Sequence, residues 1–238
     1  MNKLFLLISG ILLSSSVMLA QDDCMAFFPK EEGAMLVNKT YDAQNNLLRT
    51  TTYRVNHNYD YISGADMQIG FVVTDNNGAA IDDGNIDARC DDGTFSMRMI
   101  NRGMTQDVMD ALSGGTELVG NFLDYPNIFN DEYPFEKPFQ MTNGDFTIQS
   151  KNDKKEWIRV RVHNRQYTGN EKITVPAKAE PFNAAKTTFD FEVIKEGNTM
   201  RYRGVEWYAE NASIVRSETY DSNNNLVNYT VLTTFTNK

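Results

Sequence analysis

The sequence predicts a mainly β protein: one antiparallel, strongly curved sheet forming a partly open β-barrel, with one short helix at about 104–113. Three observations predict it. Apolar residues alternate at period two in segment after segment, turn signals separate those segments at hairpin spacing, and a single stretch carries helical periodicity.

The elements follow in chain order. Lys3, the apolar run Leu4 to Met18 and the Met18-Leu19-Ala20 site before Gln21 read as a signal peptide over 1–20, cleaved on export. The remaining 21–238 are expected to form a single β-barrel-like domain. No later run approaches the ~18 apolar residues of a membrane span, so no integral membrane segment is expected. The expected location is the periplasm or the outside of the cell. Cys24 raises the alternative of a lipid anchor. Gln21-Asp22-Asp23 precede that thiol where a lipidated cysteine follows a small, apolar box, so a lipoprotein is not expected.

The strands come next. "DMQIGFVV" sets Met67, Ile69 and Phe71 on one face, and "TFSMRMI" does the same for Phe95, Met97 and Met99. "EWIRVRVHN" sets Trp157, Arg159 and Arg161 against Ile158, Val160 and Val162, and "TFDFEVI" turns Phe189, Phe191 and Val193 inward. Asn76-Asn77-Gly78, Asp83-Gly84, Asp91-Asp92-Gly93, Asn143-Gly144 and Glu196-Gly197-Asn198 mark the turns of consecutive hairpins. "MTQDVMDALSGG" breaks the rhythm. Thr105 caps it, Met104, Val108, Met109 and Leu112 share a face, and Gly114-Gly115 stops it, giving a short helix across the open side of the sheet. The Pro- and aromatic-rich stretch 124–139 after it suits an ordered loop.

Two stretches near the ends of the chain share one recipe: "KTYDAQNNLLRTTTY" (39–53) and "ETYDSNNNLVNYTVL" (218–232). Asp42 and Asp221 can accept from backbone amides two residues on, and Asn46 and Asn225 suit the left-handed conformation of a tight turn. Tyr41 is then expected opposite Leu47, and Tyr220 opposite Leu226, on the core side. The first and last hairpins are expected to be neighbours in a sheet that curls back on itself.

Charge and chemistry narrow the function. The chain carries 23 basic and 32 acidic residues, and without the leader's single Lys the formal charge is −10. No basic stripe offsets it, which excludes nucleic-acid binding. Two cysteines in an exported chain predict one Cys24–Cys90 disulfide. Only His57 and His163 are present, and no G-x-S-x-G elbow accompanies them. The pool of ligands is too small for zinc, and no cofactor is implied. The stretch 75–87 resembles a calcium loop but has Ala79 and Ala80 where an EF-hand needs a ligand and a glycine. Asp82-Asp83, Asp91-Asp92 and Glu31-Glu32 therefore read as turn carboxylates, with loose Ca²⁺ as the alternative.

Four islands in succession, "CMAFFPKEEGAMLVNKTYDAQNNL", "CDDGTFSMRM", "NRQYTGNEKITVPA" and "EWYAENASIVRSETYDSNNNLVNYTVLTTF", resemble the TapB-like family of exported bacterial proteins, related to the domain of unknown function 3108. The resemblance implies an antiparallel, partly open β-barrel and no transferable activity. The chain departs from the pattern after Val175-Pro176-Ala177: "KAEPFNAAK" intervenes, and Ala184 or Ala185 stands where members often carry a cysteine. That removes a thiol role there and favours Cys24 pairing with Cys90.

The expected function is non-enzymatic: an envelope protein whose curved sheet binds a lipid-like or other apolar small ligand. Phe95, Met97, Met99, Met109, Leu112, Phe189, Phe191 and Trp207 are the cleft candidates. The alternative is a structural or assembly protein that binds an envelope protein through exposed sheet edges.

Overall fold

A computed structural model describes residues 27–61, 64–91, 94–97, 111, 115–120, 123–126, 128–129 and 138–237. The leader, Cys24, Met99, Met109, Leu112 and nearly all of the expected helix lie outside them; Ala111, helical and buried, is its one described residue. Among the described residues no helix is long and apolar enough to cross a membrane.

A first meander runs through β1 (Met35–Asp42), β2 (Leu47–Tyr61), β3 (Gly64–Asp75), β4 (Ala80–Asp91) and β5 (Thr94–Met97). Then come the short β6 (Thr116–Gly120), β7 (Leu123–Pro126) and β8 (Phe139–Gln140). A second meander follows through β9 (Gly144–Ser150), β10 (Glu156–Ile173), β11 (Phe182–Lys195), β12 (Asn198–Ala209), β13 (Ser213–Asp221) and β14 (Leu226–Thr236). All join in one antiparallel sheet of order β6-β9-β10-β11-β12-β13-β14-β1-β2-β3-β4-β5-β7, with β8 on β10, curled into a half-barrel.

The curl follows from the connections. The meanders meet where β1 pairs with β14, so the first and last hairpins are neighbours as the sequence predicts. β6 extends the sheet beyond β9, whereas β7 extends it beyond β5. Only three residue steps separate Gly120, on one outer edge, from Leu123 on the other, a span of at most about 11 Å. The two edges must therefore converge. Across that seam a Cβ on Gly144 would come within 2.8 Å of Leu123, so a side chain there would have to push the Leu123 and Phe146 side chains aside.

The predicted alternation holds. Met67, Ile69 and Phe71 are buried, as are Phe95 and Met97, then Ile158, Val160 and Val162, then Phe189, Phe191 and Val193. Trp157 faces out, 47% exposed.

Asp83-Gly84, predicted as a turn, lies inside β4 opposite Val72 and Phe71; the other turns sharpen the prediction. Asp42 Oδ1 accepts from the amides of Gln44 (2.9 Å) and Asn46 (2.8 Å), and Asp221 does the same for Asn223 and Asn225. The left-handed residues are Asn45 (φ 66°) and Asn224 (φ 65°), not Asn46 and Asn225. The later asparagines instead bond the Asp carboxylate with both amide and side chain, which moves the positive φ one residue earlier. Tyr41 does pair with Leu47, and Tyr220 with Leu226. Tyr41, however, follows the buried Thr40 and lies on the opposite face, stacked on Tyr229 at 5.3 Å. Asp75 builds a third such turn, accepting from Asn77 and Ala79.

Candidate functional site

The concave face has two chemistries. On one side, register sets Met97 against Ala88 and Ala88 against Met67, with Ile86 against Ile69 and Ile69 against Val55 beside them, all buried. On the opposite, outward face of the same strands Tyr59, Asp66, Gln68, Asp87 and Arg89 line a cleft of about 380 Å³, with Met67 and Ala88, whose side chains turn inward, at its floor. The exposed Arg89 and Asp66 pair at 3.6 Å on its rim.

On the other side, a single register row crosses six strands: Thr187, Glu206, Ser217, Thr230, Thr40 and Arg49. Every member is buried. Thr40 and Thr230 hydroxyls bond at 2.8 Å, and Arg49 Nε donates to Thr40 Oγ1 at 3.3 Å. Burial, opposed by Tyr53, lowers the Arg49 pKa to about 10.

At the Glu206 end stands a buried polar group. A bulge between His163 and Gln166, with Asn164 left-handed (φ 54°), places Arg165 inside the molecule. Its guanidinium donates to the carbonyls of Thr142 (2.7 Å) and Asp124 (3.2 Å) and lies 5.0 Å above the Tyr125 ring. β10 is thus tied to β7 across the seam. Asp124 receives the hydroxyls of Ser96 (2.7 Å) and Thr142 (2.9 Å) as well. Burial lowers the Arg165 pKa, opposed by Glu206, Tyr208 and Asp124. Tyr125 donates to Glu206 at 3.5 Å. Burial also raises the Tyr208 pKa, opposed by Arg165.

The predicted cleft residues divide between regions. Phe95, on β5, stacks on Phe27 at 4.9 Å and lies 6.0 Å from Phe28, so the concave side there is filled by the chain's own rings. Met97 sits beside it against Leu123. Phe189 lies over Gly204, where an added Cβ would meet its ring at 2.2 Å. Phe191 stacks on Tyr202 at 5.1 Å and borders a second cleft of about 290 Å³, with His163, Asp190, Arg201 and Arg203. Trp207 is buried, its indole donating to Glu171 at 2.8 Å with Lys186 above the ring. The described candidates do not gather in one cleft; Met97 lies in register with Ala88 and, through it, Met67. Cys90 is buried, is not free, and pairs in register with Phe95. His57 faces Glu32 at 3.6 Å on the surface.

Sequence reasoning missed Phe27, Phe28, Tyr125, Arg165, Glu206 and Tyr208. For the first pair a signal existed, since two adjacent phenylalanines before Pro29 have no alternation to place them on a strand. For Arg165 the only hint is Asn164, a residue that tolerates the bulge.

No curated protein matches the chain. Two crystal structures share its fold. One, from Bacteroides fragilis and described as an exported protein with a YmcC-like fold, is 28% identical, with TM-score 0.82 over 90% of this chain and 100% of its own. The other, from Parabacteroides distasonis and described as a lipoprotein, is 29% identical with the same TM-score and coverage. Residues 31–232 match the family model, and the chain belongs to the DUF3108-like family.

Proposed function

We propose that this is an exported, non-enzymatic protein of the cell envelope that binds an apolar or amphipathic, lipid-like ligand on the concave side of its half-barrel. The observation that carries the reading is the buried apolar row of Met97, Ala88 and Met67, in register across β5, β4 and β3 on the concave face. The leader and the exported and lipoprotein descriptions of the two structural neighbours support the location. The resemblance of the four sequence islands supports a place among the TapB-like members. We pair Cys24 with Cys90 rather than with a lipid, because Phe95, the register partner of Cys90, stacks on Phe27, three residues from Cys24.

Native mass spectrometry of the protein purified from the envelope tests the reading. An apolar molecule bound to the parent chain and lost from Ala88→Glu is expected; a bare chain that takes up no phospholipid from vesicles overturns it. Two free thiols in the same spectrum overturn the disulfide. Exposed Val119 and Trp157, on β6 and β10 near one outer edge, favour a second reading, assembly with an envelope protein through that face.

A further inference from the structure

Phe27 and Phe28 are buried although they belong to no strand. Phe27 lies 4.4 Å from Tyr125 and 5.7 Å from Tyr208 as well as stacking on Phe95, and Phe28 lies 6.2 Å from Tyr53. The two rings thus fill a chamber whose walls come from β2, β5, β7 and β12. A residue inside the sheet is held by ladder bonds on both sides; this dipeptide lies outside the ladder, with ring contacts and the bond from the Ser213 amide to the Phe27 carbonyl, 2.7 Å, among its anchors. The chain enters the sheet only further on, where Gly33 donates to Val55.

One wall of the chamber is polar. The Tyr208 hydroxyl is buried and has no hydrogen-bond partner among the described residues. Arg165 and Glu206 are close enough to act on it electrostatically. A buried hydroxyl left without a partner lowers stability, and such a group calls for a reason. An acceptor carried in by a ligand supplies one.

We infer that the chamber bounded by Tyr53, Phe95, Tyr125 and Tyr208 is the binding site of the amphipathic ligand, and that Phe27–Phe28 is its internal occupant, displaced on binding. The inference rests on the reading of the protein as an apolar binder and adds where and what it binds. The ligand has a flat ring or short acyl body that replaces the two phenyl rings, and an uncharged acceptor for the Tyr208 hydroxyl. A charged end is disfavoured because Arg165 and Glu206 already offset one another, so a further buried charge would stand uncompensated.

The test uses the exported chain 21–238 and 6-propionyl-2-dimethylaminonaphthalene, a flat, uncharged ring system with one ketone acceptor and an emission that shifts to the blue in apolar surroundings. Phe27→Ala is expected to bind it at least tenfold more tightly than the parent chain. Adding Tyr208→Phe is expected to take back at least threefold. If the parent binds the probe and Phe27→Ala binds no better, the chamber is not the site, while the apolar-binder reading stands. If neither binds, both fail. Should Phe27→Ala lack a cooperative unfolding transition, Phe27→Leu keeps an apolar side chain in place and frees less space. About threefold tighter binding is then expected, and unchanged binding overturns the inference.

Discussion

The arm built from β3, β4 and β5 and the spine that crosses from β11 to β2 share one concave surface but hold together by different means. The arm presents Met67, Ile69, Ile86, Ala88, Phe95 and Met97, and its cohesion is shape-filling burial. The spine presents Thr187, Glu206, Ser217, Thr230, Thr40 and Arg49, equally buried, and its cohesion is directional. In the arm a ring can be exchanged for another apolar body of similar volume. In the spine each polar group depends on its neighbour in register, so exchange leaves a partner stranded. Under the proposed function the arm is the adaptable surface and the spine the rigid one.

The largest expected effect lies in the arm. Phe95→Ala opens a void beside Phe27 and should cost about 3–5 kcal/mol in urea unfolding, because burial is lost and a cavity remains. A cost below ~1 kcal/mol would mean the rings around Phe95 close the gap, and the arm is then not close-packed. Next is the junction of the two regions. Arg165→Met removes the donor to the Thr142 and Asp124 carbonyls and leaves Glu206 without its cation, for about 3 kcal/mol. Hydrogen exchange of the β7 amides should rise with it, since the tie across the seam is gone. Unchanged exchange there would remove Arg165 from that role.

Smaller still is the spine proper. Thr40→Val alone should cost about 1–2 kcal/mol, because the Thr230 hydroxyl and Arg49 Nε lose their shared partner. The double change with Thr230→Val should cost less than the sum of the singles, as measured by a double-mutant cycle. Additive costs would dissolve the spine into independent residues. Smallest is the acid response of the rim turns. The side-chain bond from Asn46, then its amide, holds Asp42 below the usual carboxylate value, and Asn225 does the same for Asp221. A carboxylate depressed in the folded chain contributes stability above its unfolded value of about 3.9, lost as pH falls through the folded value. Asp42→Asn with Asp221→Asn should therefore lower the melting temperature slightly near neutrality, where the ionised carboxylates contribute, and flatten its fall below about pH 4.

The arm was legible in the sequence and the spine was not. Period two revealed Met67, Ile69, Phe71, Phe95 and Met97 as one face because apolar burial repeats along a strand. The spine is a row across strands with one residue from each, so no window of sequence contains it. Its threonines look like ordinary strand surface until register aligns them. The paired turn recipe at Asp42 and Asp221 did reveal that the chain's ends meet. Arg165 escaped because a bulge reverses the alternation after His163, and Phe27–Phe28 because rings outside a strand carry no period.

The pairing of β1 with β14 has a consequence for biogenesis. Thr40 and Thr230, 190 residues apart, bond at the middle of the sheet rather than at an edge. The seam that joins the two meanders is therefore the last part to become available during synthesis. Contacts of such range close slowly. A chain emerging N-terminus first can assemble two separate ribbons but cannot complete the half-barrel until its final strand is released. In the exported protein proposed above, that delay lengthens the time in which an unclosed chain can thread through a translocation channel.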